Sequence, residues 1–168
     1  MAIEVSIIVT AFREPISIVK TLNALCWQIN QKTSEILVIC PDDETANACK
    51  AFKTVKTHRD AGQGKPAALN IGLNLARGKF IVFTDGDVWI APDSLQHLLS
   101  FFDDPHTGAV SGRPISLSPR TAMLGYWSHL LTDAGAHRER ASRDDKGEFF
   151  VCSGYLYAIR SGLVTSIP

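Results

Sequence analysis

The sequence of 168 residues has no charge excess of either sign: 17 lysines and arginines stand against 17 aspartates and glutamates. Without a basic surplus there is no footprint for a nucleic-acid polyanion, and no nucleic acid is expected as a partner. No apolar run reaches the ~18 residues that a membrane-crossing helix needs. The opening MAIEVSIIVT lacks a basic n-region and a small-residue cleavage site, so it reads as a strand and not as a signal peptide. Cysteine is scarce: Cys26, Cys40, Cys49 and Cys152 form no C-x-x-C pair, and three of them sit in apolar stretches. Reduced structural thiols in a cytoplasmic compartment are the expectation. His129 and His137 flank Asp133 at helical spacing, but a solvated helix face explains them better than a metal site. No repeat, low-complexity tract or linker divides the chain, which is expected to form one domain, 1–168, around one core.

What the chain does have is a regular order of apolar runs. Ser6 to Val9, Ile36 to Ile39 and Phe80 to Phe83 are short and continuous, the pattern of strands buried on both faces of a parallel sheet. Weaker strands are expected around Val55 and within 108–113. Helices fall between them: Pro15 to Gln31, with Ile18, Leu22, Leu25 and Ile29 at helical spacing; roughly 46–52; one opened by Pro66 and ended near Gly78; and one from Pro92 through Phe102. The segment 121–140 reads as a further helix with Leu124, Trp127, Leu130 and Leu131 on an apolar side. Strands alternating with helices at this spacing give an α/β sandwich with a mostly parallel central sheet. Ligands in such folds bind beyond the carboxyl ends of the strands, where Thr10-Ala11-Phe12, Asp42-Asp43 and Asp85-Gly86-Asp87 all fall.

Two carboxylates one residue apart, Asp85 and Asp87, suit a hard divalent cation that keeps positions open for phosphate oxygens. Gly86 is expected to let the backbone turn so that both reach one side. Val88, Trp89 and Ile90 are expected to fix that turn to the core. The plain alternative is a turn in which Asp caps nearby N–H groups. Other D-x-D chemistries fail on named residues. An EF-hand loop is broken by Trp89 and Ile90, and an Asp-x-Asp-x-Thr phosphatase signature by Trp89. A P-loop is excluded by Pro66 after Lys65 and by Arg59 where its first glycine would stand.

Together SIIVTAFREP, EILVICPDDET, AGQGKPAALNIGLNLARGKFIVFTDGDVWIAPDSL and CSGYLYAIR resemble, in order and over most of the chain, the catalytic domain of family 2 glycosyltransferases. The resemblance implies a GT-A fold, a Rossmann-like three-layer sandwich. It also implies an inverting enzyme that uses a nucleoside-diphosphate sugar, a UDP-sugar above others, with Mn²⁺ or Mg²⁺ at the DGD. Residue by residue, it implies that Thr10 and Ala11 lie against the nucleoside and that Asp42, with Asp43 close behind, contacts the base. Lys65 and Asn70 would lie near the donor. Asp85 would contact the ribose or share the metal, and Asp87 would be the principal metal ligand. A departing nucleoside diphosphate gathers charge on its terminal phosphate, which a metal and Lys65, before a helix N-terminus, would stabilise. A solvated loop lysine and an ordinary polar helix position are the plainer roles for Lys65 and Asn70.

The resemblance divides the chain into a nucleotide-binding half, 1–105, and the start of an acceptor-binding half, 106–168. Ser153 and Gly154 would border the donor sugar and the acceptor. Tyr126, Trp127 and His129 are aromatic candidates for an acceptor groove, with core packing the plainer role for Trp127. The charge run 137–147 is expected to be a solvated face or loop. The family's catalytic base is expected beyond Pro168, so the chain is expected to be the N-terminal part of a longer enzyme. Any membrane association would belong to the missing part, and donor and metal binding with little transfer is expected. The acceptor, whether carbohydrate, lipid or protein, is not specified by these residues. Two other classes stay open: a non-catalytic nucleotide-sugar-binding module, and a nucleotidyltransferase. The latter is disfavoured because Thr10 to Pro15 is not a Gly-rich basic loop.

Overall fold

The computed structural model describes residues 2–148 and 151–168. The apolar runs build one six-stranded sheet from β1 (Val5–Thr10), β2 (Ser34–Cys40), β3 (Val55–Arg59), β4 (Phe80–Asp85), β5 (Ala109–Ser111) and β6 (Leu156–Arg160). Its order is β3-β2-β1-β4-β6-β5. β1 to β4 pair in parallel, whereas β6 runs antiparallel to both β4 and β5. The helices are α1 (Ser17–Gln28), α2 (Asp43–Cys49), α3 (Lys65–Leu75), α4 (Ser94–Ser100), α5 (Met123–His129) and α6 (Arg138–Asp144). A wide π-type stretch, Leu130–His137, joins the last two without a break.

Period-two alternation along the strands sorts side chains into two layers. Ile7, Val9, Ile36, Val38 and Val82 pack under Ile18, Leu22 and Leu25 of α1 and Leu95 and Leu98 of α4. On the opposite face Ile8, Leu37, Ile39, Ile81 and Phe83 meet Ala68 and Leu69 of α3 and Ile159 of β6. Each such fully buried side chain contributes about 1.5–3 kcal/mol. The result is the expected three-layer α/β sandwich, with β5 and β6 of the second half completing the same sheet. Register decides where the chemistry lies: Thr10 stands beside Ile39 on one side and Asp85 on the other, so the strand ends share one rim.

Several local expectations change. α2 begins at Asp43, earlier than 46, because the Asp42 side chain accepts the Thr45 N–H at 2.8 Å and caps the helix there. α3 stops at Leu75; Gly78 does not end it but lies so close to β1 that a Cβ would come within 2.5 Å of the Ser6 nitrogen. The apolar side of α5 and the π-type stretch is not packed, with Leu124 and Trp127 78% and 51% exposed, so Trp127 is not a core residue. Residues 137–144 of the charge run continue that helix, with an Arg143–Glu139 pair on its surface. Among the described residues no helix is long and apolar enough to cross a membrane.

At the other end of the strands lies a buried carboxylate, Glu35, 4% exposed. It accepts from Ser6 at 2.9 Å, from Lys56 at 3.1 Å and from Arg77, whose closest nitrogen is 2.6 Å away. Burial alone would raise its pKa. The hydrogen bonds from Arg77, Ser6 and Lys56 outweigh burial and hold it down at about 2. A depressed acid stabilises the fold above its ordinary pKa, and that stability fades as pH falls from about 4.5 toward 2. Urea unfolding between pH 7 and pH 3 should therefore show the wild type losing on the order of 1 kcal/mol through this group, after discounting for its half-exposed cations. Glu35→Gln should start less stable and lose less over the same range; an equal loss in both would contradict the assignment.

Candidate active site

Beyond the carboxyl ends of β1 to β4 lies a pocket of about 390 Å³. Thr10, Ala11, Phe12 and Glu14 enter it after β1, Pro41 after β2, Asp60 and Gly62 after β3, Lys65 from α3, and Asp85 and Asp87 after β4. The glycines of AGQGK turn the chain toward α3 with φ of +68° at Gly62 and +96° at Gly64, a region closed to most side chains. That turn sets Lys65 at the first position of the helix, aimed across the rim.

Lys65 Nζ reaches both oxygens of Asp85, at 2.6 and 2.7 Å, and the carbonyl of Gly154 at 3.3 Å. The Thr10 hydroxyl donates to the same Asp85 carboxylate at 2.8 Å. Asp85 is therefore held by two donors, whereas Asp87, two residues on, is exposed and makes no hydrogen bond or ion pair among the described residues. The turn between them is anchored from α1. The Thr21 hydroxyl lies 2.9 Å from the carbonyls of both Gly86 and Val88, and the Gly86 N–H donates to Thr10 at 2.8 Å. Ile90, 2% exposed, and the half-buried Val88 complete the anchor, but Trp89 stands 63% exposed. The expected core role of Trp89 is corrected: in the loop after β4 its neighbours Val88 and Ile90 turn inward and it turns outward. Gly86 also has a different role from the one expected. Its φ is ordinary, and its small size is required because a Cβ would meet Glu14 Oε2 at 2.5 Å and Ala11 Cβ at 2.7 Å.

Glu14 was not singled out in the sequence, although an acid in the loop four residues past a buried strand is a visible signal. Its Oε2 is buried without a hydrogen-bond partner. Burial, then the charges of Asp87, Asp85 and Asp42, push its carboxyl up to about 7, with Lys65 offsetting part of the shift. The Asp87 end of the pocket is thus short of positive charge, and its oxygen donors suit a hard divalent cation. No three His, Cys, Asp or Glu side chains among the described residues form a ready ligand set. A cation here would be held by Asp87 with one further carboxylate, and ligand phosphate oxygens would complete its shell.

The remaining expected residues are placed as follows. Thr10 and Ala11, each 7% exposed, line the pocket. Asp42 does not line it: one oxygen caps α2, and the other accepts the Arg13 N–H at 2.9 Å, holding Arg13 in its left-handed conformation (φ 56°). Asp43 points away and pairs with Arg59 at 3.0 Å. Asn70 is also engaged elsewhere, its amide exchanging two hydrogen bonds with the Ile167 backbone at 2.7 and 2.8 Å. Gly154 comes to the rim under Lys65, and Ser153 behind it is buried, its N–H donating to Ser111. Trp127 lines neither this pocket nor the larger hollow beside it, which shares Glu14 and Asp87 and is flanked by Trp89, Lys20 and Leu117. Tyr126 is exposed, and His129 bonds the Ser118 carbonyl at 2.9 Å. Asp133 pairs with Arg113.

Residues 6–164 match the family-wide pattern described as glycosyl transferase family 2, and the chain belongs to that family. Among curated relatives, it is 24% identical over 196 residues to poly(ribitol-phosphate) beta-N-acetylglucosaminyltransferase TarS of Staphylococcus aureus, covering 95% of this chain and 34% of that protein. It is 32% identical over 161 residues to beta-monoglucosyldiacylglycerol synthase of Trichormus variabilis, covering 86% of this chain and 33% of that protein. The chain thus spans about a third of the length of these relatives. Among solved structures it resembles the mannosyltransferase PcManGT of Pyrobaculum calidifontis in complex with GDP-Man and Mn²⁺. The TM-score is 0.66 at 22% identity, over 95% of this chain and 45% of that one. It also resembles glucosyl-3-phosphoglycerate synthase of Mycobacterium tuberculosis with Mn²⁺, UDP and phosphoglyceric acid, with TM-score 0.66 and 20% identity, over 98% of this chain and 58% of that one. The shared fold is the GT-A fold.

The crowding at Gly86 yields a direct expectation. Gly86→Ala should cost about 1–3 kcal/mol in urea unfolding, because Glu14 and Ala11 must both move. Unchanged stability would contradict the close packing of the DGD turn on β1.

Proposed function

We propose that the pocket binds a nucleoside-diphosphate sugar with a divalent cation, and that the chain is the donor-binding part of an inverting glycosyltransferase. One observation carries this reading: Lys65 and Asp87, the latter unpartnered among the described residues, stand at one end of a pocket that runs across four strand ends. The Mn²⁺, UDP and GDP-Man held by the solved relatives support the same ligand chemistry here. The family resemblance favours UDP as the carrier, and inversion likewise rests on that resemblance.

In this reading the diphosphate lies between Lys65 and Asp87. Lys65 turns from Asp85 to the phosphates as the donor enters, and Asp85 becomes available to the ribose or the cation. Thr10, through its hydrogen bond, keeps Asp85 aimed across the rim in either state. When bound, the cation supplies Lewis-acid stabilisation of the charge on the departing diphosphate. Ala11 forms the wall against the nucleoside, and the sugar lies toward Gly154, whose carbonyl Lys65 already touches. The acceptor attacks from the side away from the leaving diphosphate. Family membership favours transfer over a pure binding role and over nucleotidyl transfer. The four free thiols support a cytoplasmic location.

Thermal unfolding with UDP at a hundred times its dissociation constant should rise by about 5–10 °C in the presence of Mn²⁺, the equivalent of about 2.7 kcal/mol. Asp87→Ala should keep the unliganded midpoint and lose the metal-dependent part of the rise. A metal-independent response to every nucleoside diphosphate, or none, would contradict the proposal.

A further inference from the structure

We propose that Asp60, and not Asp42, selects the base of the bound nucleotide, and that it selects bases carrying a ring N–H on their pairing edge. The inference rests on the donor reading above and adds to it the identity of the residue that reads the base.

Position comes first. Asp60 follows β3 and Asp87 follows β4, at opposite edges of the four parallel strands in the order β3-β2-β1-β4. Three strand spacings separate them, about 14 Å, the span of an extended nucleoside diphosphate. With the phosphates between Lys65 and Asp87, the base lies over the ends of β2 and β3, against Pro41, Asp60 and Gly62.

Hydrogen-bond supply comes second. Asp60 lines the pocket, and no hydrogen bond or ion pair reaches it among the described residues. Its Oδ1 is shut off from solvent with no partner. The neighbouring cation cannot serve it, since Arg59 is held by Asp43. An ionised carboxylate only accepts, and leaving it short of donors carries a free-energy cost that a ligand donor removes. The last torsion of an Asp side chain is broad, so either oxygen can turn to the ligand. Asp42 is less suited to this role: it does not line the pocket, and each of its oxygens already accepts a backbone N–H, one from Arg13 and one from Thr45.

Ligand chemistry comes third. Uracil offers N3–H and guanine offers N1–H with its amino group to an acceptor-only partner. Cytosine and adenine present an unprotonated ring nitrogen at the corresponding position, so an exocyclic amino group is their only donor there and the ring lone pair faces the carboxylate. A uridine or guanosine diphosphate is the class of ligand that Asp60 favours over cytidine and adenosine diphosphates.

Calorimetric titration of UDP, GDP, CDP and ADP with Mn²⁺ tests this on wild type, Asp60→Asn and Asp42→Asn. In wild type, UDP or GDP should bind at least about tenfold more tightly than CDP and ADP. Asn offers both an N–H and a C=O, so Asp60→Asn should shrink that ratio to about threefold or less while nucleotide binding persists. Asp42→Asn keeps a competent helix cap and should leave the ratio as in wild type. An unchanged ratio in Asp60→Asn, a ratio lost in Asp42→Asn, or equal binding of all four in wild type would overturn the role of Asp60 and leave the donor site standing. Binding of none of the four would overturn both.

Discussion

An imbalance of charge on one rim governs this protein. Of the described residues lining the pocket, Glu14, Asp60, Asp85 and Asp87 bring carboxylates and Lys65 alone brings a cation. A folded chain tolerates that arrangement only if each acid is given some relief. Asp85 takes Lys65 and the Thr10 hydroxyl, Asp87 stays in water, and Glu14 shifts its pKa upward toward neutrality. Asp60 finds no such relief among the described residues. The pocket is therefore complementary to a ligand that is anionic and metal-bound at one end and a hydrogen-bond donor at the other. A nucleoside diphosphate with a divalent cation has that polarity along its length.

The scaffold keeps these groups in place through short-range packing. Thr21 of α1 reaches both carbonyls around the DGD turn, and Gly86 allows β4 to approach Ala11 and Glu14 more closely than any side chain would permit. Asp42 ties the loop after β1 to the start of α2, so the walls of the pocket move together. At the amino ends of the strands the opposite solution is used, with Glu35 buried and fully served by Ser6, Lys56 and Arg77. Glu35 is satisfied and structural, while Glu14, Asp60 and Asp87 on the rim are under-served and available. Satisfaction of hydrogen bonds, more than burial, separates structure from function in this fold.

Much of the fold was legible because it rests on local pattern. The continuous apolar runs around Ile7, Ile36 and Ile81 have no period but are too short for helices, and the helices between them imply that those strands pair in parallel. β6 was not foreseen as a strand, since its place between β4 and β5 depends on contacts some 75 residues apart in sequence. The rim was legible as a rim, with Thr10, Ala11, Lys65, Asp85 and Asp87 converging on it. The division of labour among its acids was not. Composition cannot reveal that each oxygen of Asp42 already accepts a backbone N–H, that the Asn70 amide holds the Ile167 backbone, or that Asp60 has no donor among the described residues. Trp89 misled for a similar reason: it lies in a loop after β4, where the path of the chain decides which of Val88, Trp89 and Ile90 faces outward.

The most direct measurement is a crystal structure of the chain with UDP and Mn²⁺, the ion located by its anomalous scattering. A peak at the Asp87 carboxylate, bridged by phosphate to Lys65, with the base over the end of β3 against Asp60, is the predicted result. A peak remote from Asp87, or a nucleotide lying in the reverse direction with its base at the DGD turn, would contradict the central claim that the charge imbalance of the rim orients the donor.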